Sequence, residues 1–184
     1  MTKILVLLTG MPGAGKSIFI HAARELGIPS LSMGDVVRQE AIRRGLKVAP
    51  DILAKLSIEL RSKYGPDIIA RRTITRIPEA PIIVIDGVRS MNEVNVFRST
   101  SWKTVIVAIH SSPATRFKRL LRRGRPDDPK SWDEFRERDL RELKFGIGHV
   151  IALADVMLVN ENIGKEEFKE QCKIALAKII ANEI

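Results

Sequence analysis

The 184-residue sequence contains one cysteine, Cys172, so it can form no internal disulfide framework and no thiolate metal cluster. Aromatic residues are 5% of the chain, and no basic stretch is interleaved with the rings that single-stranded nucleic acid stacks on. No apolar run exceeds six residues, which excludes a membrane-spanning helix, and the first run lacks the flanks of a signal peptide. A cytoplasmic protein with no membrane partner is the expectation. Neither an internal repeat nor a low-complexity linker divides the chain, so one domain is expected across residues 1–184. Acidic residues are the minority, 22 against 31 Lys and Arg, for a net charge of +9 that favours anionic partners without choosing among them. The excess is uneven: Arg116 to Arg125 holds six basic residues and no acid.

What the chain does have is Gly10-Met11-Pro12-Gly13-Ala14-Gly15-Lys16-Ser17 directly after the apolar run Ile4 to Thr9. This fits G-x-x-x-x-G-K-[ST] in the context the motif needs, with a strand to aim the loop and a helix N-terminus to offer unpaired N–H groups to phosphate. Backbone groups of Gly13 to Ser17 would cradle the donor phosphates, Lys16 would reach the β and γ oxygens, and the Ser17 hydroxyl would bind magnesium. Gly10, Pro12, Ala14 and Ile18 complete the expected nucleotide cradle.

The remaining pattern alternates strands and helices. Strands are predicted at 4–9, 28–31, 82–87, 104–109 and 154–159. Helices follow the P-loop up to Gly27, run from Gly34-Asp35 to Gly45, from Pro50 to Tyr64, from Ile68 to Ile77, onward from Pro113, from Trp132 to Leu143, and from Gly164 to Ile180. This predicts an α/β fold, a three-layer P-loop NTPase arrangement with a five-stranded, mainly parallel sheet. Three successive helices without a strand between them read as a helical insertion over 34–77, set in a core of 1–33 and 78–184. Asp86 ends the continuous apolar run Ile82 to Ile85, which places it at the C-terminal edge of a buried parallel strand, where ligands sit. It is a candidate to hold magnesium beside Ser17; the other reading is a carboxylate capping a helix that starts near Ser90. Cys172 shares a helical face with Phe168, Ala175, Leu176 and Ile179, as core residues do. His21, His110 and His149 are isolated from one another, and structural roles are expected for them. Trp102 and Trp132 are expected to pack.

Three further segments carry a resemblance. Ser32-Met33-Gly34-Asp35-Val36-Val37-Arg38 resembles the Thr-Gly-Asp-x-x-Arg segment of nucleoside monophosphate kinases, and Asp86-Gly87-Val88-Arg89 resembles their Asp-Gly-Phe-Pro-Arg. Arg119 to Asp128 is similar to their arginine-rich LID, and Arg136 lies eleven residues after Arg125, as a LID-flanking arginine would. With the P-loop these stand in family order, closest to small adenylate-kinase-related proteins that also resemble dephospho-CoA kinases. The resemblance implies that Gly34, Asp35, Arg38, Gly87 and Arg89 bind the acceptor and that Arg123, Arg125 and Arg136 act with Lys16 on the transferring group. It also implies that Arg119 and Asn160 lie against the donor base, that 34–77 is the acceptor-binding insertion, and that a short LID spans about 119–137. ATP and Mg2+ are the implied cofactors.

No general base is conspicuous in these motifs. An acceptor phosphate is already an anion at neutral pH, so transfer to it asks for charge neutralisation and alignment, the work of bidentate arginines. The expected activity is transfer of the ATP γ-phosphate to a nucleoside monophosphate, AMP before others. Dephospho-CoA kinase-like activity, or a nucleotide-dependent ATPase or switch that binds nucleic acid or protein, stays open beside it.

Overall fold

The structure, a computed structural model, describes residues 3–184; the first two residues of the expected core segment lie outside it. In chain order the elements are β1 (Ile4–Thr9), α1 (Lys16–Glu25), β2 (Ser30–Ser32), α2 (Met33–Arg43), α3 (Pro50–Tyr64), α4 (Ile68–Ile74), β3 (Ile82–Asp86), α5 (Met91–Arg98), β4 (Lys103–His110), α6 (Pro113–Arg123), α7 (Trp132–Phe145), α8 (Ile147–Ala152), β5 (Val156–Val159) and α9 (Lys165–Ile180). The strands form a five-stranded sheet in the order β2-β3-β1-β4-β5, and every pairing is parallel.

The continuous apolar strands follow from burial on both faces, because alternate residues of one strand feed two separate cores. Ile4, Val6 and Leu8 of β1 pack with Ile82 and Val84 of β3, Val105 and Val107 of β4, Phe19 of α1 and Phe168, Cys172 and Leu176 of α9. Leu5 and Leu7 point the other way, to Ile83, Ile85 and Ile106 with Met33, Leu60, Ile69 and Phe97 from α2 to α5. Cys172 is thus a core residue, and burial pushes its thiol up to about 12.

Element boundaries shift where side chains compete with the ladder. Ile28 is spent on the α1–α9 core before β2 begins at Ser30. Asp155 ends its approach to β5 by accepting the Ile106 N–H on its carboxylate at 2.7 Å, so the strand starts at Val156. Helix α8 falls in the stretch between Leu143 and residue 154, for which the sequence pattern predicts no element. Gly146 takes φ +99° and closes α7 while opening α8, which lets the chain turn without a loop. Among the described residues no helix is long and apolar enough to cross a membrane.

The three helices α2 to α4 lie together on one face of the sheet and are tied by one carboxylate. Glu40, 6% exposed, accepts from Arg43 at 3.0 and 2.7 Å, from Arg44 at 2.6 Å and from Arg72 of α4 at 3.2 Å, and Arg44 also reaches Glu59 of α3 at 2.8 Å. Hydrogen bonds from Arg43, then from Arg44, hold the Glu40 carboxyl down at about 2. A depressed carboxyl stabilises the fold above its unfolded pKa near 4.5 and loses that contribution as pH falls toward 2. Glu40→Gln is therefore expected to lower stability by about 2 kcal/mol at pH 7. It should also flatten the decline in melting temperature between pH 5 and pH 3, read by thermal unfolding across that window.

Candidate active site

Strand β1 is central, and the chain passes from β3 on one side of it to β4 on the other, which opens a crevice beyond the strand ends at β1. The P-loop fills that position. Gly10 adopts φ +143°, and a Cβ there would stand 2.5 Å from the Ile109 carbonyl of the neighbouring strand. Gly15 adopts φ +111°, where a Cβ would meet Asn160 Nδ2 at 2.3 Å. Helix α1 starts at Lys16 with no side-chain cap and no acid in its first turn, so its N-terminal dipole is left for an external anion.

The outer rim of the loop is braced by partners on the β4, α6 and β5 side. Asn160, buried, donates from Nδ2 to the Ala14 carbonyl at 2.9 Å, and Ser111 Oγ donates to the Asn160 carbonyl at 2.6 Å. Arg119 donates to Ser111 Oγ at 2.8 Å and to both oxygens of Asn160 at 3.0 and 3.1 Å. Arg116, 4% exposed, reaches the Pro12 carbonyl at 3.2 Å while its guanidinium makes a two-pronged pair with Asp139 of α7 at 2.8 and 2.6 Å. Asn160 and Arg119 thus meet at the P-loop rim, with the Asn160 side chain as well as its backbone engaged. Glu161 next to it accepts from Ser112 N at 2.8 Å and from the Thr115 hydroxyl, fixing the β5 loop to the start of α6.

Two charges face each other inside the cradle. Lys16 donates from Nζ to the Gly10 carbonyl at 2.5 Å, and desolvation lowers its pKa against the opposing pull of Asp86. Asp86 stands opposite Leu8 in the sheet register. Its Oδ1 is a buried acceptor with no hydrogen-bond partner among the described residues, and burial raises its pKa despite Lys16 and Arg89. Helix α5 is capped by Ser90, whose Oγ accepts from Glu93 N at 3.3 Å, so Asp86 is not the cap of that helix. An orphaned carboxylate oxygen near the Ser17 end of α1 fits a hard cation, and magnesium needs only one or two such protein groups beside phosphates and water. Among the described residues no three His, Cys, Asp or Glu side chains form a metal cluster of their own.

Of the arginines singled out in the sequence, Arg38, Arg89, Arg119 and Arg123 have side-chain partners. Arg38 pairs with Asp35 within the first turns of α2, where Ser32 Oγ caps Gly34 N at 3.2 Å. Arg89, after Gly87, donates from Nε to Glu142 of α7 at 2.7 Å, and its backbone N–H donates to Glu93 at 2.7 Å. Glu93, fully buried, is held in turn by Arg61 of α3 at 2.8 Å, and the Arg61 guanidinium lies over the Phe145 ring at 5.0 Å. Thr9 Oγ1 donates to the Val88 carbonyl at 2.8 Å, joining this loop to the end of β1. Arg123 pairs with Asp128, which also accepts from Arg125 N at 2.9 Å, while the Arg125 side chain is exposed.

Arg136 is carried on a different face of α7, at a groove of about 420 Å³ with Pro113, Trp132, Phe135, Asp139 and Leu140. The α7 arginine whose charge Lys16 feels is Arg138, which reaches the Asp127 carbonyl at 3.0 Å. Sequence reasoning missed Arg138, Glu142, Glu93, Arg116, Asp139 and Ser111. The one available signal was helical spacing: Arg138 and Glu142 lie three and seven residues after Phe135, the buried anchor of α7. The histidines do not converge; His21 pairs with Glu25 at 3.0 Å, and His110 and His149 are exposed. Trp102 packs at the edge of the second core, and Trp132 stacks with Phe117 and Phe135.

Taken with the sheet order, this loop and its braces define a P-loop kinase fold. The shikimate kinase of Acinetobacter baumannii has a TM-score of 0.64 at 15% identity, over 100% of this chain and 96% of that one. A gluconokinase of Sinorhizobium meliloti has 0.55 at 16%, over 96% and 93%. Residues 9–136 match a family model described as an AAA domain. A UPF0200 protein of Hyperthermus butylicus is 51% identical over 179 residues, 96% of this chain and 95% of that protein. The chain belongs to this AAA domain family and to the UPF0200 protein family.

The unpartnered Oδ1 of Asp86 gives a test that separates stability from binding. Asp86→Asn removes a desolvated charge and is expected to raise the melting temperature by about 3 °C. The same change should weaken magnesium-dependent ATP binding about tenfold, measured by calorimetry with and without the metal.

Proposed function

We propose that the protein is an ATP-dependent phosphotransferase that moves the γ-phosphoryl group to a small phosphate-bearing acceptor, a nucleoside monophosphate, with AMP favoured. The observation that supports this most is the convergence of Lys16 of α1, Asp86 of β3, Arg138 of α7 and Arg89 of the β3–α5 loop at one sheet edge. In this reading the P-loop from Gly10 to Ile18 holds the donor phosphates, with Arg119 and Asn160 at the donor-base side. Asp86 and Ser17 hold Mg2+, which neutralises phosphate charge when bound. Arg38 and Arg89, with Gly34, Asp35 and Gly87, receive the acceptor within the insertion 34–77. Arg123 and Arg125 sit on a short LID over about 119–137, and the α7 contribution to the transferring group comes from Arg138, with Arg136 toward the outer groove. Because the acceptor phosphate is already anionic, the site works by neutralisation and alignment, with water excluded by closure of the arginine loop. Nothing in the reading requires nucleic acid or a membrane, and a cytoplasmic location suits a protein fed by soluble nucleotides.

A second reading draws on Asp35, whose charge Asp86 feels across the crevice. A carboxylate there suits orientation of an acceptor hydroxyl, as a dephospho-CoA-like acceptor would present and as the names of the shikimate kinase and gluconokinase neighbours suggest.

An acceptor panel of nucleoside monophosphates and dephospho-CoA, with ATP and magnesium, tests both readings by ADP release. Stimulation by AMP is expected; stimulation by dephospho-CoA alone would select the second reading, and stimulation by no member would sink both. Lys16→Ala should abolish transfer. Arg89→Ala should raise the acceptor KM about tenfold or more while changing the ATP KM less than about threefold, and equal effects on both would contradict its role.

A further inference from the structure

The Arg89–Glu142 pair puts a carboxylate where the proposed acceptor phosphate has to arrive. Glu142 is 14% exposed on its side chain, and Arg89, through Nε at 2.7 Å, is its partner on the opposite wall. The backbone that carries Arg89 is anchored: its N–H is held by buried Glu93, and the adjacent Val88 carbonyl is held by Thr9. The cations facing Glu142 are Arg89 and, from the P-loop, Lys16; Arg138 on the same helix is turned to Asp127 and Asp128 at 3.5 and 3.4 Å. Beyond them lie Asp86 and Asp35 at the sheet edge and the Arg61–Glu93 pair behind Arg89.

An anion that enters here displaces one negative charge with its own. A monoanion exchanges like for like at Arg89 and gains repulsion from the displaced carboxylate, so it has little reason to bind. A dianion keeps one charge for Arg89 and has a second for the Lys16 side of the crevice. We propose that Glu142 is a specificity-determining residue that restricts the Arg89 site to dianionic groups, phosphate monoesters, against monoanions of the same shape. This rests on the proposed acceptor role of Arg89 and names the charge class that the acceptor must carry. It is specificity by a built-in repulsive element, which an attractive contact alone does not provide.

The test compares AMP with adenosine 5′-sulfate, which has the same shape and one charge fewer, at pH 8, where a phosphate monoester with a second pKa of about 6 is a dianion. Binding of each is measured by calorimetry to the wild-type chain, Glu142→Gln and Arg89→Gln. The wild type should prefer AMP by about 30-fold or more, and Glu142→Gln should narrow this to about threefold by gaining the sulfate ester, not by losing AMP. Arg89→Gln should lose AMP instead. A single cooperative thermal transition and retained ATP binding serve as the folding control for Glu142→Gln. A wild-type preference below about threefold overturns the proposal whatever the variants do, as does a Glu142→Gln protein that keeps the wild-type ratio or weakens both esters together. If AMP binds with the expected selectivity but yields no ADP from ATP, the AMP-kinase reading fails and the role of Glu142 stands. If neither ester binds while another acceptor in the panel drives ADP release, the role of Glu142 fails and phosphotransfer stands.

Discussion

A lysine and an aspartate, each half-buried at the end of a parallel sheet, set the terms for the structure around them. Lys16 and Asp86 attract each other, yet desolvation outweighs that attraction for both, so each is held in a state it would relieve if it could move. The two cores are what prevent it. Asp86 is fixed by the β1–β3 register, and Lys16 by a helix whose inner face is locked by Phe19, Ala22 and Ala23. In the proposed function a polyphosphate with its metal supplies the charges both are missing.

The two sides of the crevice are prepared differently. On the Asn160 side, polar contacts run between side chains and backbone carbonyls: Asn160 to Ala14, Ser111 to Asn160, Arg119 to Asn160. That surface is already arranged. Elsewhere around the crevice the cations are occupied by carboxylates of the same chain, Arg38 by Asp35, Arg89 by Glu142 and Arg123 by Asp128. Those pairs hold the guanidinium groups without leaving a bare positive pocket. The Arg61–Glu93 contact and the Arg61–Phe145 stack connect α3 to α5 and α7 through one buried carboxylate.

How much of this the sequence carried depends on the range of the interaction involved. Strand positions and the P-loop were legible because they rest on local pattern: apolar runs buried on two faces and glycines whose spacing matches a loop. Asp86 was legible for the same reason, since a carboxylate that ends a buried strand has few places to be. Helix α8 was not, because Gly146 serves two helices at once. The pairings of Arg89 with Glu142 and Arg116 with Asp139 span 53 and 23 residues, and nothing in local spacing distinguishes them from other charges on amphipathic helices. Arg136 and Arg138 make the point most directly: two arginines on one helix, two positions apart, differ only in which face the packing of Phe135 turns inward.

The sheet that serves the site also limits how copies of the chain can meet. Its two outermost strands are its shortest, three residues in β2 and four in β5, while the six residues of β1 and eight of β4 are enclosed between neighbours. A second chain that tried to extend the ladder would find only a few open backbone groups at either border, too short a template for cross-strand growth. The apolar strands that reach the phosphate cradle are thus kept in the middle of the sheet, where their hydrophobicity fills two cores and offers little to aggregation.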